Sequence, residues 1–89
     1  MNTRRYFRFT VDFKEVEKQR TDFTTIRREG DAMATEKKCP VRCECYNEPL
    51  QRWDVLGHFI GNRNFRLPDG EVRRISRDYT HMHKKGDES

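Results

Sequence analysis

The stretch from Trp53 to Tyr79 constrains the fold of this chain most strongly, because it alternates apolar and charged residues around two turn signals. Residues 53–60 carry apolar side chains on both sides of the alternation, a pattern typical of a strand with neighbours on either side. Residues 61–64 mark a first turn, and Leu67-Pro68-Asp69-Gly70 fits a type I turn with proline at its second place. The stretch therefore predicts a central strand followed by a hairpin.

The second arm of that hairpin, Glu71 to Ile75, allows two interpretations. We predict a strand. A helix is the alternative, because Val72, Ile75 and Tyr79 recur at helical spacing and Asp69 could cap the first turn. The choice decides which of the neighbouring arginines point in the same direction.

The amino-terminal third begins with a clear strand pattern, in which Phe7, Phe9, Val11 and Phe13 share one face. We expect that face to pack in the core and the alternate residues to contact water. From Asp12 the pattern predicts a short helical turn that ends by residue 20 or 21, since a glutamate stands three positions after this capping aspartate.

Composition predicts the elements that follow. Residues 23–26 are β-formers in a row and indicate a second strand, whereas residues 29–40 indicate a linker or a short helix. Arg42 to Tyr46 predicts a further strand that ends in the turn residues Asn47 to Pro49. Met33 begins a string typical of a protein start, so residues 1–32 are either an extension or part of the working domain.

The length of 89 residues predicts one domain with a thin core. The chain is 33% hydrophobic and 38% charged, and six Phe, three Tyr and one Trp supply much of the surface that can be buried. We expect a small α+β domain over residues 1–79, with an antiparallel sheet of four or five strands and one or two short helices. Residues 80–89 are expected to be a disordered basic tail.

The net charge of +4 is concentrated in two blocks. Residues 1–28 carry eight Lys/Arg against four Asp/Glu, and residues 60–85 carry seven against three. Either block could face phosphate or an acidic protein surface. The alternative is a solvated surface that keeps a small protein in solution.

Several classes of protein are disfavoured by the sequence. No leading apolar stretch and no run of about 18 apolar residues is present, so we expect a cytoplasmic protein without a membrane partner. The three cysteines are then expected to be reduced. No phosphate loop, nucleophile elbow or paired-carboxylate motif is present, and we expect a protein that is not an enzyme and needs no cofactor.

The most specific alternative to a metal-free binding protein is one that binds zinc. Cys39, Cys43 and Cys45 together with His58 could supply four ligands, and a metal would compensate for a thin core. The C-x3-C-x-C spacing lacks the C-x2-C pair whose turn directs two thiolates at one ion. The simpler interpretation is that Cys43 and Cys45 are small strand residues.

The candidate binding surface combines arginines with aromatic rings in residues 53–79. Such residues anchor protein interfaces, and the same residues could fork onto phosphates and stack on bases. The principal prediction is a host protein or protein complex as partner, and the alternative is DNA or RNA; the oligomeric state stays open. The predicted contacts are Trp53, Arg63, Arg66, Pro68, Arg73, Arg74, Arg77 and Tyr79.

In size, basic charge and aromatic content, the chain resembles the small accessory proteins that bacteriophages encode to redirect host enzymes. The turn Leu67-Pro68-Asp69-Gly70, with its proline, is similar to the proline-presenting feature of the anti-RecBCD proteins of lambdoid phages. That resemblance implies a non-enzymatic protein that modulates a host recombination nuclease. It also implies that Pro68 contacts a host prolyl isomerase and that the flanking arginines dock to the nuclease.

Overall fold

The computed structural model describes residues 4–84 and shows one helix packed on an antiparallel sheet. The α+β class is confirmed, but the sheet has seven strands instead of four or five. The elements in chain order are β1 (Arg5–Val11), β2 (Lys14–Thr21), α1 (Phe23–Lys37), β3 (Val41–Asn47), β4 (Arg52–Gly61), β5 (Asn64–Arg66), β6 (Val72–Ile75) and β7 (Met82–Lys84).

The strands lie in the order β2-β1-β3-β4-β5-β6-β7. Five of them follow the helix as a meander, and the β1–β2 hairpin joins the sheet when β1 pairs with β3. Strand β4 lies in the middle, as its apolar residues on both sides predicted. Residues 5–32 therefore supply two strands and most of the helix, so they belong to the domain.

The core lies between α1 and one face of the sheet. Phe7, Phe9 and Phe59 are at most 1% exposed, and Ile26 of the helix packs among the buried residues. Gly30 lets the helix approach the sheet closely, because a Cβ atom at this position would collide with the ring of Phe59. A larger residue at position 30 would push the helix off the strand.

The predicted helical turn after Asp12 is wrong, because residues 14–21 form the edge strand β2. An edge strand pairs on one side only and tolerates charged residues throughout, so its sequence carries little periodic signal. Phe13 is also misplaced by the prediction, since it sits in the β1–β2 turn and is 95% exposed.

The predicted second strand at residues 23–26 is wrong as well, because these residues open α1. Asp22 caps the helix, accepting a 2.8 Å hydrogen bond from the backbone N–H of Thr25. Of the two alternatives for residues 29–40, the helix is confirmed for residues 29–37, as part of the longer α1 that begins at Phe23. Lys38 ends the helix in a left-handed conformation with φ 56°.

The carboxyl-terminal hairpin follows the prediction. Residues 72–75 form a strand, and the N–H of Gly70 donates to the carbonyl of Leu67 at 2.9 Å, as expected for the predicted turn. The expected tail at 80–89 begins differently, since Met82–Lys84 form β7; residues 85–89 lie outside the described part. No helix within residues 4–84 is long and apolar enough to cross a membrane.

Candidate functional site: the open face of the sheet

The face of the sheet that points away from α1 is here called the open face. Directly opposed residues of an antiparallel pair point to the same side, so the strand register extends this face from β2 to β7. Its residues are Glu15, Lys18 and Arg20 of β2, Tyr6, Arg8 and Thr10 of β1, Arg42, Glu44 and Tyr46 of β3, Trp53, Val55 and His58 of β4, Arg66 of β5, Val72 and Arg74 of β6, and His83 of β7.

Cations dominate this surface, and its acids are already paired. Glu44 is 4% exposed and accepts a 2.7 Å hydrogen bond from Nε of Arg8, with Nη2 of Arg42 at 3.3 Å. Burial alone would raise the pKa of Glu44, but the hydrogen bond and charge of Arg8, together with Arg42, lower that pKa below its ordinary value. Glu15 lies 3.8 Å from Arg8 as well. The remaining cations give the open face a positive field.

Aromatic rings lie among these cations near the start of β4. The guanidinium carbon of Arg8 lies 4.4 Å from the centre of the Trp53 ring, and Tyr46 meets Trp53 edge to face at 5.2 Å. The guanidinium carbon of Arg20 lies 6.0 Å from the Tyr6 ring, which is 45% exposed. The open face therefore offers ring surfaces and charge within one patch.

A second group of charges surrounds His58 further along β4. Arg42 of β3 and Arg66 of β5 are its direct cross-strand neighbours. Burial, and then the charges of Arg66 and Arg42, lower the pKa of His58 below its ordinary value. His58 is therefore mostly neutral at pH 7, and an anion that neutralised the two arginines would raise its pKa back towards the ordinary value.

A concavity lies at each end of the patch. The larger, about 490 Å³, lies at the edge of the open face and extends towards the helix side. It is lined by Arg4, Arg5, Tyr6, Arg20 and Tyr46, and also by Phe23, Cys45, Glu48, Asp54 and Leu56. The smaller, about 190 Å³, is lined by Thr10, Asp12, Phe13, Pro40, Arg42 and His58. Because β1 runs from one concavity to the other, an extended ligand could follow this strand and enter both.

The residues predicted as contacts do not form one surface. Trp53, Arg66 and Arg74 lie on the open face, whereas Pro68 and Arg77 are exposed in turns. The other three lie towards the helix. Asp31 of the helix accepts a hydrogen bond from the hydroxyl of Tyr79 at 3.1 Å and another from the backbone N–H of Arg63 at 2.7 Å. Arg73 pairs with Glu71 at 3.0 Å. Arg73 and Arg74 point to opposite sides of the sheet, because alternate residues of a strand do so.

Sequence reasoning missed the contribution of the first half of the chain to the open face. The pattern that predicted β1 already indicated a water-facing side with Arg8, and residues 42, 44 and 46 alternate with the cysteines in the same way. What the sequence does not give is the pairing of β1 with β3, a contact between residues 36 positions apart at Arg8 and Glu44. Because β1 pairs with β3, the basic residues of the first block and those of the last block belong to the same sheet.

The structure does not assemble the four residues considered for zinc. Cys43 and Cys45 are buried on the helix side, whereas His58 faces the opposite way. Burial raises the pKa of both cysteines, so their thiols stay protonated at neutral pH. Within residues 4–84, no group of three or more His, Cys, Asp or Glu is arranged to hold a metal ion.

The open face thus provides guanidinium donors for anionic groups, ring faces for stacking and a broad sheet surface along which an extended ligand can lie. Comparison of the chain with protein-family models, with curated proteins and with solved structures found no match.

Proposed function

We propose that this chain is a non-enzymatic binding protein whose open face holds single-stranded nucleic acid. The observation that carries the proposal is that exposed arginines share the open face with aromatic rings, while the acids of that face are paired. Arg20 and Arg66 are exposed on the open face, whereas the acids of that face, Glu15 and Glu44, are both paired with Arg8. Acidic side chains on the other side of β2, such as Glu17, face the helix instead.

The shape of the surface favours a single strand over a duplex. The major groove of B-DNA admits a helix or a two-stranded ribbon, and the face of a seven-stranded sheet is too broad to enter it. A single strand can lie on such a face with its phosphates on arginines and its bases on rings. Tyr6 and Trp53 are rings on this face, and the exposed Arg20 lies beside Tyr6. Arg66 is a further exposed cation, opposite His58 of β4.

The dimensions give a site size. Strand β1 has 7 residues, which span about 23 Å at about 3.3 Å per residue, and it connects the two concavities. At a rise of about 3.4 Å per stacked nucleotide, this distance accommodates about 7 nucleotides. That number lies within the range of about 4 to 16 nucleotides found for other single-strand-binding surfaces.

The proposal is tested by fluorescence anisotropy with labelled single-stranded DNA and RNA oligonucleotides of about 8 nucleotides at a series of salt concentrations. The wild-type protein is expected to bind, with affinity falling as salt rises. A double variant, Arg20→Ala with Arg66→Ala, is expected to bind at least about 10-fold more weakly at low salt. Its salt slope should be shallower by about 1.4, because each of the two lost phosphate contacts removes about 0.7 from the slope for single strands.

A matched control separates local contacts from total charge. Arg28→Ala with Arg77→Ala removes the same charge from exposed positions on the helix and in a turn, away from the open face. This control is expected to keep affinity within about threefold of the wild type, an effect of long-range field alone. Absence of binding by the wild type at low salt, or equal losses in both double variants, would refute the proposal.

The second candidate is the modulator of a host protein expected from the sequence. Pro68 favours it, because this residue is exposed at the β5–β6 turn, where a partner can reach it. In this case a nuclease-treated host lysate should yield one discrete partner that Pro68→Ala loses and Arg20→Ala with Arg66→Ala retains. A partner that depends on neither substitution would contradict this use of the turn.

A further inference from the structure

The tip of the β1–β2 hairpin carries an aromatic residue in an unusual position. Val11 pairs with Lys14, so Asp12 and Phe13 form a two-residue turn, and their φ angles are 50° and 66°. The side chain of Phe13 is 95% exposed, the largest exposure among the large hydrophobic residues of the described part. The ring therefore contributes almost nothing to the core.

Local chemistry opposes phenylalanine at this place on two counts. A turn with two left-handed residues favours Asn-Gly or Asp-Gly, because a bulky side chain is disfavoured at positive φ. The exposed ring also leaves its apolar surface in water. Folding of this domain accounts for neither feature, since glycine at position 13 would suit the turn better. The ring is therefore accessible to a ligand outside the folded chain.

The surroundings of Phe13 indicate what that ligand is. The ring stands at the smaller concavity, whose other lining residues include Arg42 and His58 of the open face. A volume of about 190 Å³ is below the range of about 300–1,000 Å³ typical of pockets that enclose a drug-sized ligand. One planar ring fits such a space, while a phosphate attached to it would remain outside, within reach of Arg42.

We infer that Phe13 stacks on one base of a single strand that lies along β1, and that this base occupies the concavity at the end of the open face. The inference rests on the proposed function, which supplies the strand. It adds a defined stacking residue at the end of the strand's path. Arg42 then contacts the adjoining phosphate, and the binding site for the nucleic acid ends at the β1–β2 turn.

The test compares Phe13→Gly with the wild type on two probes of equal length, a single-stranded oligonucleotide and a fully abasic oligomer that retains only the sugar-phosphate backbone. Phe13→Gly is expected to bind the oligonucleotide about 10-fold more weakly, in keeping with the loss of one stacked base. It should bind the abasic oligomer with unchanged affinity. Its midpoint of thermal unfolding should be equal to or above that of the wild type, because glycine suits the turn.

Two further variants sharpen the result. Phe13→Tyr keeps an aromatic face and should retain wild-type affinity, whereas Phe13→Leu keeps an apolar side chain without that face and should resemble Phe13→Gly. If Phe13→Gly binds the oligonucleotide as the wild type does, while Arg20→Ala with Arg66→Ala weakens binding, the inference fails and the proposed function stands. If the wild type binds neither probe, both fail. Phe13-dependent binding to anionic phospholipid vesicles, without any effect on the oligonucleotide, would also overturn the inference.

Discussion

The helix-covered face and the open face alternate along the same strands, yet they differ in how far folding alone accounts for their side chains. On the covered face, Phe9, Phe59 and Ile75 are at most 1% exposed and pack on the helix. On the open face, the side chains of Arg8 and Arg42 remain 29% and 38% exposed, although they pair with a buried glutamate. The covered face forms the core, and the open face leaves charged side chains accessible to solvent.

Strand β4 contributes side chains to both faces, so substitutions in it compare the two directly. The largest loss of stability is expected for its residue on the covered face, Phe59. Phe59→Ala is expected to lower the free energy of unfolding by about 3–5 kcal/mol, because it leaves a cavity beneath the helix. A chain of 89 residues has a total stability of roughly 4–13 kcal/mol, so this loss is a large fraction of the total. Chemical denaturation monitored by circular dichroism measures the loss.

Val55→Ala is the matched substitution on the open face, where this side chain is 37% exposed. We expect it to cost less than about 1 kcal/mol, since the lost contacts are few. Equal losses at residues 55 and 59 would show that the open face is packed as tightly as the covered one, and the comparison of the two faces would then be wrong.

The sequence predicted strands where a face is buried and failed where no burial is required. The alternation around Phe7 and around Phe59 gave β1 and β4 correctly, because core packing imposes a period of two on those residues. Strand β2 has no such constraint at the sheet edge, and its charged residues were interpreted as a helical turn. Residues 29–40 were interpreted as a linker or a short helix, although Gly30 lies within a longer helix and lets it pack close to the ring of Phe59.

The candidate site could be predicted only in part for a related reason. Trp53 and Arg66 were predicted as contacts and do lie on the open face, but Tyr79 was expected beside them and bonds Asp31 on the helix side instead. Which residues share a face depends on strand register and on pairing between distant segments. A single sequence carries no direct signal for either, so Arg8 and Arg20 went unrecognised.

The next largest effect is expected at the buried acid of the open face. Glu44→Gln removes the negative charge that pairs with Arg8 and Arg42 and should lower the free energy of unfolding by about 1–3 kcal/mol. The same substitution frees two cations, so affinity for a single-stranded oligonucleotide should rise severalfold at low salt. Stability and affinity are thus expected to change in opposite directions.

Glu15→Gln provides the control, because it removes an equal charge from an exposed side chain near Arg8. It should cost less than about 0.5 kcal/mol. The lowered pKa of Glu44 adds a pH signature: its stabilising effect is present above the unfolded pKa of about 4.3 and is lost as pH falls through the lower folded pKa. Glu44→Gln should lack this part of the acid transition. A Glu44→Gln protein as stable as the wild type would mean that the ion pairs are immaterial to the fold.

The smallest expected effect concerns His58. Here lower pH is expected to decrease the stability of the free protein but to increase its affinity for the ligand. The pKa of His58 is lowered in the folded protein, by burial and then by the charges of Arg66 and Arg42. The unfolded chain therefore takes up this proton first as pH falls below about 6.5, and the contribution of His58 to stability declines in that window. A phosphate held between the two arginines would raise the pKa again, so the complex would take up a proton that the free protein does not.

Affinity for a single-stranded oligonucleotide should accordingly rise as pH is lowered from about 7.5 to about 5.5, by about two- to tenfold, since one pKa unit corresponds to a factor of ten. His58→Gln should remove most of this dependence, because glutamine takes up no proton in this pH range. Anisotropy titrations of both proteins at several pH values measure the effect, and the remaining histidines are common to both. If the two proteins show the same pH profile, no phosphate lies between Arg42 and Arg66. The proposed position of the oligonucleotide along β1 would then be wrong.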